Sequence, residues 1–132
     1  MARRKLEYSV TEGRDKGKLF ILTEMPASRA ERWAMRAAMA AISAGVELPE
    51  GIEFQGMAGI AQAGITAFAK IPFDVAGPLL DEMFGCVQFV PDPTNRSIVR
   101  DLIEDDIEDV ATRFKLRMEL FKLHIGFFDN AA

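Results

Sequence analysis

Along the first 25 residues apolar and polar positions alternate. Leu6, Tyr8 and Val10 are separated by Glu7 and Ser9, the period of a strand with one buried face. Lys18-Leu19-Phe20-Ile21-Leu22-Thr23 reads as a second strand. Between them lies the polar turn Glu12-Gly13-Arg14-Asp15-Lys16-Gly17, whose two glycines can take positive φ. The pattern predicts a β-hairpin over residues 5–25. Its loop exceeds two residues, so a mobile tip or a bulge is expected.

From Ser28 the apolar spacing changes to threes and fours. Ser28 and Glu31 have the spacing of a capping box, and Gly45 suits the position just past a helix end. The first helix is therefore expected from Ser28 to about Ser43. Trp33, Ala37, Ala41 and Ala44 share one face, and Met35, Met39, Ile42 and Val46 cover the next. Arg29, Arg32 and Arg36 make a basic stripe. Met35, Met39 and Met57 are read as core filling. Pro49 and Gly51 mark a linker over 47–53. A second helix is expected over 54–69, with Gly56, Gly59, Ala63 and Ala67 offering a close-packing side, and Pro72 ends it. A third is expected from Asp74, as N-cap, to Gly85, with Pro78 near its tolerated first turn. Cys86 to Val90 is a short β-prone run, closed by Pro91-Asp92-Pro93. Ser97 to Arg100 is either another short strand or the lead-in to the last helix.

That last helix is expected from Asp101 or Asp106 to Ile125. Acidic residues fill its first half and Arg113, Lys115, Arg117 and Lys122 its second, which suits the helix dipole. Two apolar lines run along it. Ile103, Ile107, Val110, Phe114, Met118, Phe121 and Ile125 are read as the core stripe. Leu116, Leu120, Leu123 and Phe127 form the other line. Both cannot face one core, so the second is expected to meet another subunit or a client helix.

These elements predict an α+β fold, mostly helical, with an N-terminal β-hairpin packed on about four helices and a short extended segment near 86–100. A chain of 132 residues, 49% hydrophobic and 27% charged, suits one domain over 1–132. Charge is unevenly spread. Residues 1–36 hold nine basic and five acidic side chains, residues 37–112 three and thirteen, and residues 113–132 four and two. Basic ends around an acidic middle suit self-assembly or an oppositely charged partner. The net charge of −4 argues against nucleic-acid binding. Cys86 is the single cysteine, which excludes an intrachain disulfide and fits a reducing cytosol. The longest weakly polar stretch, 57–69, falls short of the roughly 20 residues of a membrane span.

No reactive constellation stands out. His124 is the only histidine, and a packed helix histidine is expected rather than a Cys86–His124 nucleophile pair. The acidic run 104–109 is read as a solvated helix start, because calcium ligands need a turn with a glycine. Gly59 and Gly64 have phosphate-loop spacing, but Ile65 stands where lysine is required. Arg14, Lys16 and Lys18 at the hairpin tip are candidates for holding an anion. The expectation is a non-enzyme, with no catalytic residue, no metal and no cofactor.

The segments Tyr8 to Phe20, Thr23 to Ala27 and Ala30 to Ala34, with Leu79 to Phe84 and Leu102 to Val110, resemble a family of small proteins of tailed bacteriophages and prophages. Across nearly the whole chain the likeness is to tail assembly chaperones of long-tailed phages. It implies a protein that binds the tape measure protein, keeps it soluble, recruits tail tube subunits, works in the host bacterial cytoplasm and is not retained in the virion. The residues expected to bind partners are Leu116, Leu120, Leu123, Phe127 and Phe128, with Arg14 and Lys16 at the tip, in a homo-oligomer. The alternative is a structural virion protein: a tail tube, terminator or connector subunit.

Overall fold

The computed structural model describes residues 3–45 and 68–130, with side chains through His124. Strands β1 (Lys5–Ser9) and β2 (Leu19–Thr23) are followed by helix α1 (Ala27–Ser43), helix α2 (Phe73–Phe84), strands β3 (Val87–Val90) and β4 (Arg100–Asp101), a 3-10 turn (Glu104–Asp106) and helix α3 (Val110–Asn130). The fold is α+β. The four strands form one antiparallel sheet in the order β1-β2-β3-β4.

The hairpin forms as its alternation dictates. Tyr8 pairs with Phe20 and Leu6 with Leu22. Phe20 and Leu22 are buried, together with Val87 of β3, and they face the helices. The loop closes through a bulge. Gly17 N–H donates to Val10 O (2.9 Å), and Val10 N–H donates to Lys18 O (3.0 Å). Gly17 and Lys18 thus both face Val10. Gly17 has φ +90°, which only glycine adopts without strain.

On the helix-facing side of the sheet, Leu79, Met83 and Phe84 of α2, Trp33 of α1 and Leu116 and Leu120 of α3 complete the core. Trp33 Nε1–H donates to Leu79 O at 2.7 Å, so its one polar atom is satisfied while the ring is buried. Where α1 meets the start of α2, Ala41, Ile71 and Ala76 form a second small cluster. Glu82 of α2 accepts Arg36 at 2.7 Å, with Arg29 at 3.9 Å, so part of the basic stripe clamps α1 to α2.

Several expected boundaries need correction. Helix α1 starts at Ala27, not after a Ser28 cap. Pro26 is its N-cap, and Pro26 O accepts Ala30 N–H at 2.8 Å. Ser28 is then the second helical residue, and no side chain caps the end. A capping hydroxyl needs the extended backbone of the N-cap position, and Pro26 takes it. The same substitution occurs at α2, where Pro72 caps and Asp74 lies inside the first turn. Pro78 is consequently the sixth residue of α2, beyond the first turn, and leaves Asp74 O without its usual N–H. Met35 and Met39 are exposed rather than core. The helix end is as expected: Gly45 has φ +83° and donates to Ile42 O. Of the expected second helix, 68–70 are helical. The linker, Met57 and the small-residue side lie outside the described residues.

The largest correction concerns the acidic run. Asp101 is in β4, and 104–106 form the 3-10 turn. Helix α3 begins only at Val110, with no acidic residue in its first turn. Of the run only Asp109, directly before the helix and accepting Ala111 N–H on its Oδ1 at 3.2 Å, keeps the favourable place at the helix start.

Candidate functional site

Helix α3 is held at its start by a carboxylate from the hairpin tip. Asp15 is fully buried. Its Oδ1 accepts Glu108 N–H (2.9 Å) and its Oδ2 accepts Asp109 N–H (3.0 Å). Lys18 Nζ donates to Asp15 Oδ1 (3.1 Å) and to Asp106 O (2.8 Å). Burial pushes the Asp15 carboxyl up. The hydrogen bonds from Glu108, Thr112, Lys18 and Asp109 outweigh that and hold it at about 2. Gly13 has φ +83°, which favours glycine, and a Cβ there would lie 2.7 Å from Asp109 Oδ2 and push that carboxylate aside.

A second carboxylate braces the turn before the helix. Arg100 donates to both oxygens of Asp106, at 2.8 and 2.7 Å, and Ile103 N–H donates to Asp106 Oδ2 at 2.8 Å. The Arg100 hydrogen bonds hold the Asp106 carboxyl below the usual range despite burial. Within the acidic run Glu104, Asp105 and Glu108 are exposed, as expected of solvated residues, but Asp106 departs from that expectation. Asp106 is buried and paired.

The anion-holding reading of the tip is also corrected. Lys18 is spent on Asp15 and Asp106, and the backbone N–H groups before α3 already hold a carboxylate of this chain. Arg14 and Lys16 are exposed on either side of Asp15.

The rotation of α3 is set by three further contacts. Leu116 and Leu120 are 0% exposed. The guanidinium carbons of Arg113 and Arg117 lie 4.4 and 4.6 Å from the centre of the Phe84 ring. Arg117 also donates to Leu80 O at 2.9 Å. Together they turn the other apolar line outward. Val110 is 63% exposed and Phe114 65%, with Met118 beside them also exposed. These three residues are spaced by fours and share one face.

This arrangement reverses the expected roles of the two lines. Leu116 and Leu120 are core and have no surface to give a partner, and Leu123, half-buried, packs against them. Ile107 is buried, but from the segment before the helix, and Ile103 is exposed. Phe127 and Phe128 lie on the final turns of α3, and their side chains fall outside the described residues. Among the described side chains, the structure does not gather the expected partner-binding residues Leu116, Leu120, Leu123, Arg14 and Lys16 into one exposed surface.

It gathers a different set. Beside the exposed row lies an apolar cavity of about 160 Å³, lined by Trp33, Leu80, Met83, Met118, Leu120 and Phe121 among others. Met118 lines both this cavity and a shallow depression shared with Tyr8 and Phe114. The outer face of α3 therefore offers a row of apolar side chains next to a hole large enough for an apolar side chain. Such a surface can hold the apolar face of a helix.

Cys86 and His124 form no nucleophilic pair. His124 Nε2 accepts Met25 N–H (3.0 Å), so its proton sits on Nδ1, which donates to Leu120 O (2.8 Å). The Nε2 contact ties α3 to the backbone at Met25 and the Nδ1 contact stays within the helix, so both ring nitrogens are spent, as expected of a packed helix histidine. Burial pushes the Cys86 thiol up, away from thiolate. Among the described residues, no three His, Cys, Asp or Glu side chains are grouped to hold a metal ion. No helix among them is long and apolar enough to cross a membrane.

Comparison of the chain with protein-family models, with characterised proteins and with solved structures finds no match.

Proposed function

We propose that this protein is a tail assembly chaperone of a long-tailed bacteriophage or prophage. It holds the tape measure protein soluble in the host cytoplasm and helps bring tail tube subunits to it. The resemblance of the sequence segments motivates the reading. The observation that carries it is the exposed row Val110, Phe114 and Met118 beside an apolar cavity. A long helical client with apolar faces aggregates when alone. A holder for it needs an accessible apolar strip on a rigid support, and α3 is rigid because its other side is core. This strip replaces the Leu116-Leu120-Leu123 line as the proposed client surface.

The test has two parts. Co-expression with the tape measure protein of the same phage should move that protein from the pellet to the soluble fraction and yield a complex. Mass spectrometry of purified virions should find this chain absent. A tape measure protein that stays insoluble overturns the reading. Many copies of the chain in each virion would favour a tube, terminator or connector subunit instead.

A further inference from the structure

We propose that the free edge of β1 pairs with β1 of a second copy of this chain, antiparallel, about a twofold axis at Leu6. The inference is independent of the client. Strand β1 is the terminal strand of the sheet, and the ladder shows which of its backbone groups are spent. Glu24 N–H donates to Arg4 O (3.0 Å), and Val10 N–H donates to Lys18 O (3.0 Å). In an antiparallel pair such bonding positions recur every second residue. Arg4, Leu6, Tyr8 and Val10 therefore point their N–H and C=O groups at β2. Those of Lys5, Glu7 and Ser9 point away from the sheet. Among the described residues, no strand pairs with that side.

Proteins usually blunt such an edge with proline, a bulge, a very short strand or charged side chains. Here the bulge lies at the loop end of the hairpin, at Gly17 and Lys18. The strand Lys-Leu-Glu-Tyr-Ser contains no proline. Its exposed side chains carry opposite signs, Lys5 and Glu7.

The signs select one register. Centring on Leu6 sets Lys5 opposite the partner's Glu7 and Glu7 opposite the partner's Lys5. The outward N–H and C=O groups of these residues then form four backbone hydrogen bonds across the axis. Leu6, half-buried against the core, meets its own copy at a closely spaced, non-hydrogen-bonded pair, which extends the apolar face of the sheet. Centring on Glu7 instead would oppose two carboxylates. Centring on Lys5 would oppose two ammonium groups at the axis, although it sets Arg3, which lies outside β1, opposite the partner's Glu7. Centring on Tyr8 sets Glu7 opposite Ser9 and gains no ion pair. Only the Leu6 register pairs opposite charges within the strand and opposes no like ones. Arg96 of the same chain also pairs with Glu7. It holds that carboxylate on the exposed face where the partner's Lys5 arrives. The result is an eight-stranded sheet shared by two copies.

The wild-type chain tests this without substitution. In hydrogen exchange at high protein concentration, the amides of Lys5 and Glu7 should be protected like those of Leu6 and Tyr8. They should lose that protection on dilution. Fast exchange at Lys5 and Glu7 at every concentration, with Leu6 and Tyr8 protected, overturns the proposal. Sedimentation tests the register. Lys5→Glu alone and Glu7→Lys alone should each self-associate at least about tenfold more weakly. An equimolar mixture of the two variants should recover a species of twice the chain mass, because each then meets its opposite. Variants that self-associate like wild type, or a mixture that gains nothing over its components, also overturn it.

Discussion

Leu116, Leu120 and Leu123 on one side of α3 and Val110, Phe114 and Met118 on the other are equally apolar, yet Leu116 and Leu120 are core with Leu123 half-buried against them, and the last three face solvent. Hydrophobicity does not distinguish the rows. The contacts that set the helix rotation do: Asp15 at the start of the helix, Arg113 and Arg117 on Phe84, and His124 on Met25 N–H. One row holds the fold together and the other is left at the surface. An amphipathic helix with a second apolar face can therefore carry a binding strip that costs the core nothing.

The contrast predicts unequal responses to truncation. Leu120→Ala or Leu116→Ala should cost about 2–5 kcal/mol, through lost burial and the cavity left behind. Phe114→Ala and Met118→Ala should stay within about 0.5 kcal/mol of wild type. Urea melts of the four variants should separate into two groups, and a single group would remove the distinction.

Asp15→Ala should be the next most damaging, at about 3 kcal/mol. It leaves the Glu108 and Asp109 amides unpaired at the helix start and Lys18 without its carboxylate. The effect should centre on α3, seen as faster amide exchange at 108–112, while the β1–β2 ladder stays protected.

Acid should act on the same brace. The Asp15 carboxyl is held at about 2, below its ordinary 3.8. A depressed carboxyl contributes stability that is fully present above the ordinary value and is lost as pH falls through the folded value. Asp106 is shifted in the same direction. Stability should therefore fall between about pH 4 and pH 2, and Asp15→Asn should flatten the slope. An equally steep pH dependence in that variant would place the titration elsewhere.

The smallest effect is expected at Ser28. Because Pro26 is the N-cap and no side chain caps α1, Ser28→Ala should change stability by less than about 0.5 kcal/mol. A loss of 1 kcal/mol or more, the usual order for a capping serine, would show that the helix starts later.

The hairpin was legible because its period-two pattern and two glycines admit one arrangement. The end of α1 at Gly45 was legible too. The helix starts were not, because Ser28 and Asp74 look like caps while Pro26 and Pro72 take that position. The exchange of roles along α3 has a clearer cause. Ile103 and Ile107 lie before the helix, and counting them lengthened the wrong row. Two apolar rows on one helix give no local sign of which faces inward, since that depends on residues nearly a hundred positions away. Asp15 was missed for the same reason. In sequence it is one polar residue in a polar turn, and only its pairing with Glu108 and Asp109 makes it the brace of the helix start. The sole local hint is its place between Gly13 and Gly17.

The most direct test of the account is Phe114→Glu combined with Met118→Glu, co-expressed with the tape measure protein and purified alone for a urea melt. Both side chains point to solvent, so the double variant should melt close to wild type. It should leave the tape measure protein in the pellet. A double variant that is stable and still keeps the client soluble would contradict the assignment of this face.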